Sequence, residues 1–166
     1  MNIIQALVLG MLQGLTEFLP VSSSGHLALL QNVFGEVDVS FDVMVHVATL
    51  FAILVFFYKD IFEIVHDLFL WKKKTENFKL AWLIVLASVP AALVGFGLKD
   101  YLHGMFSSLY VVSFGFFISG LFLFLGSYAE KHSKINSGNA FVIGIAQSLA
   151  LIPGVSRSGS TVSTGV

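Results

Sequence analysis

A stretch of sixteen residues occurs twice in this chain. Gly10, Gln13, Leu15, Val21, Ser22, Ser24 and Gly25 return 134 positions later as Gly144, Gln147, Leu149, Val155, Ser156, Ser158 and Gly159, seven identities in sixteen gap-free positions. Each copy runs from an apolar arm through a proline, Pro20 or Pro153, into small polar residues. A helix cannot pass such a proline undisturbed, because the ring lacks an N–H donor and clashes with the preceding turn. The serines and glycines that follow offer exposed N–H groups and hydroxyls. The fold therefore has to shelter two polar breaks, and no other feature restricts it as much.

The surroundings of those breaks are apolar. Of the 166 residues 56% are hydrophobic and 11% charged, against roughly 25% charged in a soluble domain, so an all-α integral membrane protein is expected. Cysteine is absent, which excludes disulfides and thiolate metal sites. The net charge of −1 says nothing about nucleic acid, but no basic run interleaves with aromatics, and no nucleic-acid partner is expected.

Residues 3–12 and 27–34 are apolar arms shorter than the ~20 residues a helix needs to cross a bilayer. Residues 1–32 thus read as a re-entrant helical hairpin, a form tolerated at membrane depth only when buried in protein. The first helix is expected to reach Pro20, with Gly10, Gln13, Gly14 and Glu17 on one face, and the second to begin near His26. Spans are predicted at 41–58, which carries Asp42 and His46, at 80–98, kinked at Pro90, and at 109–129, which has no charge. The loop 33–40 holds Glu36 and Asp38. The polar connection 59–79 contains an amphipathic piece near 61–70 and the headgroup-facing run Lys72 to Lys74. Residues 130–139 are polar, and 140–152 are apolar but too short to cross.

Five lysines in 59–79 against none in 33–40 place 59–79 and 130–139 in the cytoplasm. The first repeat, 1–134, then holds one hairpin and three spans, an odd number of crossings. The second, 135–166, must start on the opposite face, giving inverted-topology repeats whose broken helices meet at the midplane. At this period a complete second repeat would end near residue ~268, so the sequence is expected to be a piece of a longer protein. The missing walls would come from further residues of the same polypeptide or from a second copy in a homodimer.

The copies differ where chemistry would differ: Glu17 faces Leu151, His26 faces Ser160, and Ser23 faces Arg157 in the alignment. One tip offers an acid and an imidazole, the other a permanent cation, which at membrane depth needs an anionic partner. Guanidinium forks match phosphate oxygens, and the helix starts at Ser22, Ser24, Gly25, Ser156 and Ser158 suit the same anion. The nucleophile is left open between Ser23, His26 and water, with Ser23 activated by Glu17 or His26; Ser23 with His26 as acid/base is preferred. Glu17 also suits Mg²⁺ or Ca²⁺. Asp42 and His46, at i and i+4, are read as a polar pair near the outer interface rather than as metal ligands.

The runs from Gln13 to His26, QGLTEFLPVSSSGH, and from Pro153 to Thr161, PGVSRSGST, resemble the two signature motifs of the undecaprenyl-diphosphatase family of bacitracin-resistance type. The resemblance extends over the whole chain in hydropathy and order. It implies a multi-pass enzyme of the cell membrane, its site reached from the outer face. Its activity would be to hydrolyse undecaprenyl diphosphate to undecaprenyl phosphate and inorganic phosphate, so recycling the lipid carrier of cell-wall synthesis. It maps the acidic motif to Gln13 and Glu17, the important serine and histidine to Ser23 and His26, and the arginine motif to Ser156, Arg157 and Thr161. The family's first acidic position is glutamate or glutamine; here it is Gln13, so a divalent ion would find one carboxylate in the motif. The rival reading is an inverted-repeat transporter or flippase for a phosphate-bearing lipid or anion.

Overall fold

The computed structural model describes residues 1–35, 39–129 and 136–165, all helical or irregular among those residues. The elements are α1 (Ile3–Thr16), α2 (Ser23–Phe34), α3 (Val39–Phe56), α4 (Tyr58–Phe69), α5 (Glu76–Gly97), α6 (Lys99–Met105), α7 (Leu109–Gly126), α8 (Ser137–Leu149) and α9 (Arg157–Gly165). Glu36 and Asp38, and the segment 130–135 with Lys131 and Lys134, lie outside the described residues.

Two helices, α5 and α7, are each long and apolar enough to cross a membrane, both with mean hydropathy 2.1. At 1.5 Å per residue they reach about 33 and 27 Å, near the ~30 Å hydrocarbon layer. A third crossing is reached only if α3 and α4 count as one broken span; they meet at an 81° bend. Phenylalanines and tyrosines stand on the outside of these helices, Phe96 88% and Tyr110 91% exposed. Such a surface is stable facing lipid and unstable facing water, and the chain is a membrane protein.

Several predicted boundaries move. The first helix stops at Thr16, not at Pro20: the Thr16 hydroxyl turns back onto the Leu12 carbonyl at 2.7 Å, and Leu19, placed before a proline, disfavours helical backbone. The second begins at Ser23, three residues ahead of His26, because the Ser22 hydroxyl accepts the N–H of Gly25 and caps it. The first span ends at Phe56, two residues early, where α4 turns away. This α4 is the amphipathic piece foreseen in the polar connection, three residues longer at its start. The span predicted from residue 80 starts at Glu76, capped by the Thr75 hydroxyl on the N–H of Phe78. The short α6 was not predicted.

Packing joins these elements around α7. One hairpin is α1 with α2, the other α8 with α9, and α7 touches both α2 and α9. α5 lies along α8 and also meets α4, while α1 rests on α3. Leu9, Leu27, Val112 and Val155 are almost wholly buried in this arrangement, and Ala81, Ala140 and Ala146 fill narrower gaps. α5 and α8 approach tightly at Gly144, where an added Cβ would stand 2.4 Å from the Ala87 carbonyl oxygen and 3.0 Å from the Pro90 ring.

Gly144→Ala is therefore expected to force the two helices apart and to cost about 1–3 kcal/mol. Gly120→Ala, in α7 with no atom within 4 Å of the added carbon, is expected to be neutral or slightly stabilising through helix propensity. Thermal unfolding of the two variants in detergent checks this; equal melting temperatures would contradict the tight α5–α8 contact.

Candidate active site

Both tips have the same local construction. Ser22 accepts from the N–H of Gly25 at 3.3 Å, and Ser156 from that of Gly159 at 3.1 Å. The Ser22 hydroxyl lies 3.4 Å from that of Ser24, and the Ser156 hydroxyl 3.2 Å from that of Ser158. Each pairing is the other shifted by 134, so the repeat holds at the level of hydrogen bonds. The backbone takes a positive φ at each tip, at Ser22 with φ 64°, which is strained for a serine, and at Gly154 with φ 92°, which glycine adopts freely. At Gly154 no side chain fits: a Cβ would lie 2.2 Å from the Val112 carbonyl oxygen.

The tips touch. Ser158 donates its hydroxyl hydrogen to the Leu19 carbonyl at 3.1 Å, and a Cβ on Gly25 would meet Gly154 Cα at 2.9 Å and the Phe116 ring. The arginine tip is fixed to α7 by Ser119, whose hydroxyl accepts the N–H of Ser156 at 2.7 Å and donates to the Gly154 carbonyl at 2.9 Å. All three groups are buried, so each bond prevents an unpaired polar group in an apolar setting.

Between the tips and α3 opens a cavity of about 540 Å³. Glu17, Ser22, Ser23, Ser24, Ser156, Arg157 and Ser158 line it, with Asp42, His46 and Thr49 from α3. Ser23 donates its hydroxyl hydrogen to Glu17 Oε2, and Gln13 donates its amide N–H to the same oxygen at 2.9 Å. A hydroxyl on a carboxylate that is itself held by a neighbour is the arrangement of an activated nucleophile. Arg157 begins α9 and is exposed on the cavity wall, at a helix N-terminus of the kind that favours an anion.

Not every expected site residue reaches the cavity. His26 does not line it: its Nδ1–H donates to the Ser22 carbonyl at 2.8 Å and its ring packs edge-on against Phe116, centroids 5.0 Å apart. Gly25 serves the tip contact, and Thr161 donates to the Arg157 carbonyl at 2.9 Å inside α9. His46 stands where the preferred reading had put no chemistry, its Nε2 3.7 Å from Glu17 Oε2. The Asp42–His46 pair thus belongs to the cavity, and Asp42 accepts the Gln31 amide at 2.7 Å. Ser119 is the other residue missed. Its only signal is a hydroxyl in a span without charges, four residues after Gly115, a pattern shared by many packing serines.

For a divalent cation the donors are few but suitable. Among the described residues no three of His, Cys, Asp and Glu gather into a metal-holding group. One carboxylate, Glu17, stands beside the buried Gln13, whose Oε1 accepts no hydrogen bond among the described residues. Such a set fits an ion that takes one protein carboxylate and fills its shell with phosphate oxygens and water, as Mg²⁺ does.

A family model described as bacitracin resistance protein BacA matches residues 6–166. Over its whole length the chain is 44% identical to the undecaprenyl-diphosphatase of Desulforapulum autotrophicum, covering 67% of that protein. It is 41% identical, again over its whole length, to that of Marinobacter nauticus, covering 66%. Over 98% of its length it is 43% identical to that of Carboxydothermus hydrogenoformans, covering 62%. The chain spans about two thirds of the length of the curated relatives it matches.

Ser119→Ala would strip two buried backbone groups of their partner at once, Ser156 N–H and Gly154 C=O. At about 1–3 kcal/mol for each unpaired group, the variant is expected to melt well below the wild type. Ser127→Ala removes an exposed hydroxyl at the end of the same helix and is the matched control. Circular dichroism melts compare them, and a Ser119→Ala melting temperature equal to that of Ser127→Ala would show that the arginine tip does not depend on α7.

Proposed function

The chain belongs to the bacitracin-resistance BacA family, and from that membership and the cavity between the tips we propose that it acts in hydrolysing undecaprenyl diphosphate to undecaprenyl phosphate and inorganic phosphate. The observation that carries the reading is the Ser23 hydroxyl on Glu17 in one cavity with Arg157. Arg157, the Ser156 and Ser158 hydroxyls and the α9 N–H groups would hold the terminal phosphate and face the charge that develops on it. Ser23 Oγ attacks the terminal phosphorus while Glu17 takes the hydroxyl proton. The bond from that phosphorus to the bridging oxygen breaks, and the bridging oxygen leaves with the lipid as undecaprenyl phosphate. Water then attacks the phosphoserine phosphorus, the Oγ–P bond breaks, phosphate departs and a proton returns to Ser23. Such a chemistry needs a base on the hydroxyl. His26 is turned away from the cavity, so Glu17 takes the role first given to the imidazole.

A divalent ion, Mg²⁺ or Ca²⁺, would be held by Glu17 and Gln13 Oε1, and when bound would neutralise part of the diphosphate charge. The inverted arrangement of the repeats is part of the same reading, supported by the odd number of predicted crossings and the matched tips. So is a site in the plasma membrane open to the outer face, which follows from lysines clustered in 59–79. The walls that close the cavity further would come from more of the same polypeptide or from a second copy in a homodimer. A transporter or flippase needs an anion site but no hydroxyl held on a carboxylate, which is why hydrolysis is preferred.

Phosphate release from a lipid diphosphate by purified protein tests this. Ser23→Ala, Glu17→Gln and Arg157→Ala are each expected to lower turnover by ~10²–10³, the usual effect of losing one preorganised group, without loss of fold. Arg157→Lys is expected to recover little, since a point charge does not reproduce the planar fork. Wild-type turnover in Ser23→Ala would remove the serine from the mechanism.

A further inference from the structure

Charged and apolar residues separate cleanly around α4. At 100° per residue, Lys59, Asp60, Glu63, His66 and Asp67 fall within an arc of about 120°, and the other residues of the helix, apolar or tyrosine, fall within an opposite arc of about 160°. Five ionisable residues in a helix of 12 keep it out of the hydrocarbon layer. Yet α5, which is long and apolar enough to cross, starts at Glu76, directly after the turn that ends α4, so α4 lies at a membrane face. It leaves α3 at 81°, turning across an apolar helix rather than prolonging it. Ile61, Ile64 and Leu68 are half-buried, and α4 packs on α5. Tyr58, Phe62, Val65 and Phe69 are left as an exposed apolar strip, Phe62 68% and Phe69 83% exposed.

The turn that ends α4 adds a second observation. The N–H of Trp71 donates to the Leu68 carbonyl at 3.1 Å and that of Lys72 to the Asp67 carbonyl at 3.0 Å, the two bonds of a Schellman cap. Glycine ordinarily holds the left-handed position of this cap; here Trp71 holds it, at φ 53°. A bulky residue is strained in that backbone, so the turn itself gains nothing from tryptophan. Trp71 stays 62% exposed, its ring edge-on to Phe78 with centroids 5.5 Å apart and Lys73 Nζ 5.4 Å from its centre. Lys72 Nζ donates to Asp67 Oδ1 at 3.0 Å, which leaves Lys73 and Lys74 to anions outside the turn.

We propose that α4 lies in the plane of the membrane as an interfacial helix, its apolar strip set among phospholipid headgroups and upper acyl chains, with Trp71 as the anchor at its end and Lys73 and Lys74 on headgroup phosphates. Tyr58 at one end and Trp71 past the other are the residue types that settle at a membrane–water boundary, and lysines beside them match an anionic surface. A protein segment covering the strip would leave the strained, exposed tryptophan without a role.

The 166 residues hold no cysteine, so single nitroxide labels can be placed by Phe62→Cys, Val65→Cys and Phe69→Cys on the strip and by Lys59→Cys and Glu63→Cys on the opposite face. All five positions are exposed, so the labels leave the packing intact. The protein is reconstituted in vesicles of phosphatidylcholine and phosphatidylglycerol, and collision of each label with oxygen and with a water-soluble nickel complex is read by electron spin resonance. Strip labels are expected to favour oxygen, at a depth of about 5–10 Å below the headgroups, and the opposite face to favour nickel. Nickel access on both faces, or strip labels that neither reagent reaches because a second copy or another segment covers them, would overturn the proposal. Trp71→Gly is expected to keep or raise the melting temperature, since glycine takes this backbone freely, while shifting the Phe69→Cys label outward. An unmoved label, whatever the melting temperature, would show that the ring only packs on Phe78 and would overturn the anchor.

Discussion

Two helices, α1 and α8, that stop within the packed structure leave N–H and C=O groups in need of partners, and everything else in this protein depends on how those groups are met. A buried backbone group left unpaired costs about 1–3 kcal/mol. The answer is built from hydroxyls. Ser22 and Ser156 cap the helices that restart, Ser119 holds both sides of the Gly154–Ser156 break, and Ser158 ties one tip to the backbone of the other. The glycines and serines of the two tips are small enough to let the chains come this close, and α7 provides the common wall.

Once the breaks are satisfied, they become useful. A helix start that lies beside a cavity has donors already ordered, so binding an anion requires little reorganisation. The two copies then divide the work. The first kept a carboxylate and a serine, the second an arginine, and α3 passes the cavity with Asp42 and His46. Neither tip alone holds both a hydroxyl bonded to a carboxylate and an arginine.

Much of this was legible in residues taken one at a time. The tips could be found because Pro20, Pro153 and the serine runs interrupt apolar arms at a fixed spacing, and the spans because α5 and α7 are long and apolar. Glu17, Ser23 and Arg157 could be picked out as the positions where the copies disagree in chemistry. What escaped was set by geometry between distant segments. His26 carries the motif's imidazole, yet the turn begun at Ser22 directs it onto a backbone carbonyl and Phe116. His46 looks like an ordinary polar residue on an apolar helix until α3 is laid against α1. The ends of helices moved by a few residues wherever a side-chain hydroxyl, as at Thr16, Ser22 or Thr75, competed with the backbone for the same hydrogen bond.

The bond from Ser158 to the Leu19 carbonyl joins residues 139 apart in sequence. Chains are made and inserted from the N-terminus at about 5–20 residues per second, so roughly 7–28 s separate synthesis of the two partners. For that interval the first break has been made and the tip that covers it has not. Its serines and glutamate stay without that cover until α8 and α9 have been made. The tip that carries Glu17 and Ser23 is thus the first part of the cavity wall to be synthesised, and it is covered only after most of the chain has followed.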